Sequence, residues 1–239
     1  MDVSPQPEAG AVAAAGSGLS DPRVQAVLAR LHREAKCDLF LLARLIPVAL
    51  LGRLRKVPLT TAAQPIVAKG YFGVFPTVGE APLPYWRAID ARRVVEFGTS
   101  FGISAIYLAA AMRDNDGHFV GSDIDPNKVA GARRHLEEAG LSAFSEVREG
   151  DVLETFRDLA APIDLLLLDG NKDLYLLVLE LMKPKLRKGP VVVEDNILHP
   201  FVVRKTMARY VASMNDPANG FRSATLPIGA GIEYSVFEG

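Results

Sequence analysis

At 239 residues, of which 49% are apolar, the chain is long enough to bury one large core and fits a single catalytic unit with an added segment. Its 27 Lys and Arg against 28 Asp and Glu leave a formal net charge of -1. No overall basic field therefore draws it to nucleic acid or an anionic membrane, and a small neutral or mildly polar substrate fits better. The single cysteine, Cys37, excludes an intramolecular disulfide framework and a Cys-rich zinc site; it reads as a small buried apolar residue and is compatible with a cytoplasmic setting.

Residues 1–20, rich in Ala, Gly, Ser and Pro, lack a basic stretch followed by a continuous apolar one and read as a flexible tail rather than a signal peptide. A helical segment over 21–76 follows. Asp21-Pro22 supplies a cap residue and a proline at the first helical position, after which Val24, Val27, Leu28 and Leu31 recur at helical spacing. The apolar stretch 39–51 is broken by Arg44 and Pro47 and falls short of the roughly 20 apolar residues that a membrane span needs. It reads as a helix packed on the domain, covering the substrate mouth, or on a second copy in a homodimer, in preference to membrane-surface attachment. Pro and Gly residues over 57–84 mark an irregular connection into a main domain taken as 77–239.

From Arg93 onward, short β-branched runs alternate with amphipathic stretches, the pattern of a parallel sheet covered by helices on both faces. Strands are expected at 94–97, 118–123, 145–148, 163–168 and 191–194, with helices at 104–112, 126–139, 152–159 and 174–186. A helix near 201–214 and strands at 221–226 and 232–237 complete the chain, and the last two strands, with no helix between them, predict an antiparallel finish. The fold class is α/β: a doubly wound, Rossmann-like, seven-stranded and mostly parallel sheet with an N-terminal helical extension.

The first strand turns through Glu96-Phe97-Gly98-Thr99-Ser100-Phe101-Gly102 into a helix, placing backbone N–H groups at the carboxyl edge where ligands bind in this architecture. Three residues separate Gly98 from Gly102, whereas the dinucleotide fingerprint needs its first two glycines one residue apart; a pyrophosphate cofactor is disfavoured. S-adenosylmethionine has no phosphate, and its amino-acid part asks for a close backbone approach, acceptors for the ammonium and donors for the carboxylate. Glu96, Gly98, Ser100 and Ser104 are the candidates. Asp123 closes the second strand where it suits two ribose hydroxyls, with Ile124 beside it. At the end of the third, Asp151 suits an adenine amino group, an N-cap role, or both, with Val152 next to it.

The fourth strand ends in Asp169-Gly170-Asn171-Lys172 and the fifth in Glu194-Asp195-Asn196. If these strands are neighbours, Asp169, Asp195 and Asn196 supply hard oxygen ligands suited to Mg²⁺ or another divalent cation; turn formation and capping is the alternative. Asp169 also borders the cofactor edge. Lys172, next to such a cation, has its charged form disfavoured and suits proton removal, although without the acid cluster it reads as an ordinary surface lysine.

These motifs resemble those of the cation-dependent catechol and caffeoyl-coenzyme A O-methyltransferases, class I S-adenosylmethionine-dependent enzymes, over most of Thr77 to Phe237. The resemblance implies that Val78 in Thr77-Val78-Gly79 closes over the methionine part and that Asp123 is the ribose acid. It further implies that Asp169, Asp195 and Asn196 hold the metal and that Lys172 is catalytic. Pro200 matches an apolar residue beside the acceptor pocket, and Glu233 an acid that contacts the acceptor's second hydroxyl. Asn171 stands where catechol enzymes carry an aromatic pocket residue, Gly170 where they carry a larger neighbour, and Ala230 where many bacterial relatives have Asp, so a wider or differently shaped pocket is expected.

The function expected is Mg²⁺-assisted methylation of a small aromatic hydroxyl compound, as in secondary metabolism. Two rivals stand beside it: metal-free transfer to carbon or nitrogen of an indole or amine, and a nicotinamide-dependent oxidoreductase or a binding module without catalysis.

Overall fold

The alternating pattern resolves into one seven-stranded sheet in a computed structural model that describes residues 18–36, 90–195, 204–227 and 231–239. In chain order the strands are β1 (Arg93–Phe97), β2 (His118–Asp123), β3 (Ser145–Glu149), β4 (Ile163–Leu168), β5 (Leu186–Asp195), β6 (Phe221–Leu226) and β7 (Ile232–Phe237). They lie side by side as β3-β2-β1-β4-β5-β7-β6. The first five run parallel, and β7 is antiparallel to both β5 and β6, the finish expected from the sequence. Strand addition reverses direction between β1 and β4, so the loops that follow these strands bound a crevice at their carboxyl ends.

The helices are α1 (Pro22–Lys36), α2 (Ile103–Asp114), α3 (Pro126–Glu138), α4 (Val152–Thr155), α5 (Tyr175–Met182) and α6 (Arg204–Met214). Strand side chains alternate between faces, which divides the interior in two. Val94, Leu165, Leu167, Val191 and Val193 enter a core covered by α2, α3 and α1. Val95, Leu166, Leu168 and Val192 enter another, covered by α4, α5 and α6.

Local chemistry explains the helix limits. Asp125 caps α3 by accepting from the Asn127 N–H at 2.9 Å, with Pro126 at the first helical position. In α2 every residue from Ile103 to Met112 is buried, because α1 lays Val24, Val27, Leu28 and Leu31 over the flank that the sheet leaves open. Each such side chain contributes about 1.5–3 kcal/mol when fully removed from water. Gly18 N–H donates to both Asp114 oxygens at 2.8 and 2.9 Å, and Arg113 meets Asp21 at 3.1 Å, fixing the start of this segment to the end of α2.

Some limits differ from those expected. β5 begins at Leu186 rather than 191: the Gly189-Pro190 pair, a break signal in the sequence, is carried inside the strand by a register irregularity opposite Ile163–Leu165 and a φ of +79° at Gly189. α5 ends at Met182 rather than 186, since Pro184 cannot continue the helical bonding and a 3-10 turn, Lys183–Lys185, takes over. α4 stops at Thr155, whose carbonyl accepts from Arg148 Nη1 at 2.6 Å. The expected tail, the apolar stretch 39–51, the connection 57–84 and the boundary at 77 lie outside the described residues, apart from the tail's last three. Among the described residues no helix is long and apolar enough to cross a membrane.

Candidate active site

The turn after β1 holds three positive φ angles, at Gly98 (+99°), Ser100 (+49°) and Gly102 (+88°). Gly98 and Thr99 N–H both donate to the Ser122 carbonyl, at 2.9 and 3.2 Å, which binds the turn to the end of β2. A Cβ on Gly98 would lie 2.5 Å from both N and Cα of Gly170 and 2.6 Å from the Asp169 carbonyl carbon. The loops after β1 and β4 are therefore in backbone contact, reinforced where Asp169 N–H donates to the Phe97 carbonyl at 2.9 Å.

Asp123 stands over this turn. Its Oδ2 accepts from Ser100 N–H at 2.8 Å and its Oδ1 from Asp125 N–H at 3.0 Å. Each carboxylate oxygen has further lone-pair capacity, so a pair of hydroxyls can be met by an acid already held in place. The adjacent Ile124 is 72% exposed, an apolar surface beside the acid that suits a flat base. Asp151 accepts from Leu153 N–H at 2.9 Å as the N-cap of α4, and Val152 packs behind it.

Glu96 follows the strand alternation toward α2 and is fully buried. Its oxygens and the Thr99 hydroxyl make no hydrogen bond of good geometry among the described residues, although the Ser104 and Thr99 hydroxyls lie near enough to favour the charged carboxylate. Burial pushes its carboxyl up to about 7; the Ser104 hydroxyl pulls it back, and the negative charge of Asp169 adds to the rise. An acid with idle oxygens behind a glycine turn suits the ammonium of an amino-acid ligand.

Across the crevice, Lys172 Nζ lies 3.6 Å from Asp169 Oδ1, with both side chains largely buried. Lys172 Nζ also donates to the Tyr175 hydroxyl at 2.5 Å, and that hydroxyl donates to the Leu168 carbonyl at 2.7 Å. β4 pairs with β5 so that Leu168 faces Glu194. Asp169 and Asp195 follow these partners directly, at the ends of neighbouring strands. The two strand tips that carry these acids are thus neighbours in the sheet. Asn196, Val78 and Pro200 lie outside the described residues, among which no three His, Cys, Asp or Glu group as a metal site.

Other expected contacts are placed differently. Asn171 Oδ1 accepts from Asp173 N–H at 3.1 Å, capping the 3-10 turn Lys172–Leu174. Gly170 does not open space at its own position: a Cβ there would lie 2.5 Å from the Phe97 ring, which fills that volume. Glu233, expected at the acceptor, is fully buried on β7, accepting from Asn215 Nδ2 at 3.2 Å and from Thr225 Oγ1 at 2.5 Å. Opposite it, buried Glu194 accepts from the Tyr210 hydroxyl. Burial holds the Glu194 carboxyl well above the usual range; the Tyr210 hydrogen bond opposes this and the charge of Glu233 adds to it. Thr99, Tyr175 and Glu194 were not singled out from the sequence. The available signals were a tyrosine three residues after the candidate lysine and an acid closing an otherwise apolar strand.

The doubly wound sheet, the glycine turn after β1 and the acids ending β2 and β4 form the kind of edge at which α/β folds hold a nucleoside-bearing cofactor. Residues 95–197 match the family described as a methyltransferase domain. The chain is 36% identical over 112 residues to a catechol O-methyltransferase of Mycobacterium tuberculosis, a match covering 46% of this chain and 50% of that protein. The chain thus spans about half the length of the curated relatives it matches. Among solved structures, cofactor-bound Rv0187 from MTB is 26% identical with a TM-score of 0.66, covering 75% of this chain and 88% of that one. An O-methyltransferase from Bacillus cereus in complex with SAH has a TM-score of 0.64 at 19% identity, covering 87% and 99%. The resemblance to O-methyltransferases of this class is borne out.

Proposed function

We propose that the chain transfers the methyl group of S-adenosylmethionine to a hydroxyl oxygen of a small aromatic acceptor. The observation that carries this is the backbone contact of Gly98 with Gly170, which sets the cofactor turn and the Asp169–Lys172 pair in one crevice. Glu96, Gly98 and Ser104 receive the amino-acid part, Asp123 the ribose hydroxyls, and Ile124 and Val152 flank the base. Lys172 Nζ takes the acceptor's hydroxyl proton. The acceptor oxygen forms a bond to the methyl carbon as the carbon–sulfur bond breaks, its electron pair returns to sulfur, and the lysine passes the proton to water. Much of the rate comes from alignment, worth up to about 7–11 kcal/mol for well-placed reactants.

The oxygen donors of Asp169, Asp195 and Asn196 fit a hard divalent cation such as Mg²⁺, and the β4–β5 register supports the fit for the two acids. When bound, the cation supplies Lewis-acid stabilisation of the acceptor's oxyanion.

The test combines calorimetric titration with S-adenosylhomocysteine and NAD with turnover on a panel of phenols. S-adenosylhomocysteine should bind, EDTA should stop turnover and Mg²⁺ restore it. Lys172→Met should lower kcat by roughly 10²–10⁴-fold while leaving cofactor affinity unchanged. Turnover indifferent to EDTA and to Asp195→Ala would favour metal-free transfer to nitrogen or carbon. NAD binding without a response to S-adenosylhomocysteine would overturn the assignment.

A further inference from the structure

We infer that Tyr175 is a positioning residue for the Lys172 amine, fixing its distance from Asp169 through a single hydroxyl; this rests on the role proposed above for Lys172. In a 3-10 turn, side chains three residues apart eclipse one another, and the turn Lys172–Leu174 therefore brings residue 172 over residue 175. The turn is closed by Tyr175 N–H donating to the Lys172 carbonyl and capped by Asn171. The tyrosine cannot follow the lysine, because its ring is fully buried and set edge-on between Phe97 (6.3 Å between centroids) and Tyr210 (5.6 Å).

Donor accounting then fixes the lysine. A phenolic hydroxyl has one proton, and that of Tyr175 goes to the carbonyl of Leu168, the residue before Asp169. The hydroxyl can only accept from Lys172, so one N–H of the amine is committed to it whether the amine is charged or neutral. A lysine otherwise spreads over many rotamers. Here the remaining positions on nitrogen are restricted to directions away from Tyr175, and the same hydroxyl anchors the backbone from which Asp169 springs.

The test is Tyr175→Phe, which keeps the ring in its stack and removes only the hydroxyl, measured in the parent and in Lys172→Met at high enzyme concentration. We expect kcat to fall by roughly 10–100-fold, as for a reactive group misplaced by about an ångström. KM for the acceptor and the dissociation constant of S-adenosylhomocysteine should stay within about twofold, and Tyr175→Phe should cause no further loss in the Lys172→Met background, because its effect passes through the amine. Parental kcat in Tyr175→Phe overturns the inference. So does an equal fractional loss in both backgrounds, or a raised KM with kcat unchanged. Parental turnover in Lys172→Met instead removes the general-base reading itself, a failure separable from that of Tyr175 alone.

Discussion

Gly98→Ala probes the contact on which the crevice depends. With φ at +99°, an alanine there carries a left-handed strain of about 1–2 kcal/mol. Its methyl would meet backbone atoms of Gly170 at 2.5 Å, where ordinary contact begins at 3.4 Å, and neither partner is the yielding end of a side chain. Displacing the β4 loop adds an overpacking cost of about 1–3 kcal/mol, for a total of about 2–5 kcal/mol. At roughly 2–4 °C per kcal/mol for a chain of this size, the melting temperature should fall by about 4–20 °C. Gly189→Ala is the control: φ is +79° and nothing lies within 4 Å of its Cβ, so strain alone applies and the fall should be about 2–8 °C. Thermal melts of both variants, with calorimetry against S-adenosylhomocysteine, give the comparison. If Gly98→Ala melts no lower than Gly189→Ala and binds the ligand as the parent does, the two loops are not in contact and the joined crevice is wrong.

Three further perturbations address single residues. Glu96 titrates at about 7 in the fold instead of 4.5, so its contribution to stability is complete below pH 4.5 and is lost as pH rises through 7. Glu96→Gln removes that dependence, and urea melts without cofactor should show the variant gaining on the parent by up to about 3 kcal/mol between pH 5 and 8. Asp123→Ala removes the acceptor for Ser100 and Asp125 N–H together with the proposed ribose contact, and S-adenosylhomocysteine affinity should drop by about tenfold or more in calorimetry. Asn171→Ala should lose about 1 kcal/mol in denaturant melts as a missing cap, whereas Asn171→Asp, which keeps the accepting oxygen, should match the parent; equal losses would assign the amide to something other than the turn.

Strand tips were the legible part of this molecule. An apolar run that stops abruptly at a charged residue marks where a buried strand emerges, so Asp123, Asp169 and Asp195 could be placed at the carboxyl edge from sequence. The β4–β5 adjacency, a condition for any site shared by the last two, is given by the sheet order rather than by the sequence pattern. Roles decided by tertiary neighbours were not legible. An asparagine after a strand suits a pocket wall or a cap equally well, and the cap role of Asn171 is visible only in the Asp173 N–H beside it. Glu233 carried the right chemistry for an acceptor contact, but Asn215 and Thr225 engage it from elements that are close only in space. β5 starts before the Gly189-Pro190 pair because pairing with β4 holds the strand together across it. Tyr175 stands three residues after the candidate lysine, but in an apolar run it reads as one more core position, and only the 3-10 turn before it shows that the two side chains meet.

The sheet separates the two halves of the chemistry. Glu96 and Ser104 belong to the layer beneath α2, whereas Tyr175, Tyr210 and Glu194 hang on the opposite side with α5 and α6. In the proposed reaction, donor grip and acceptor handling are rooted in different interiors, which meet where two glycine backbones cross. Changes of shape inherited on one side need not disturb the other, which gives a lineage built on this scaffold a route to new acceptors with its methyl source unaltered.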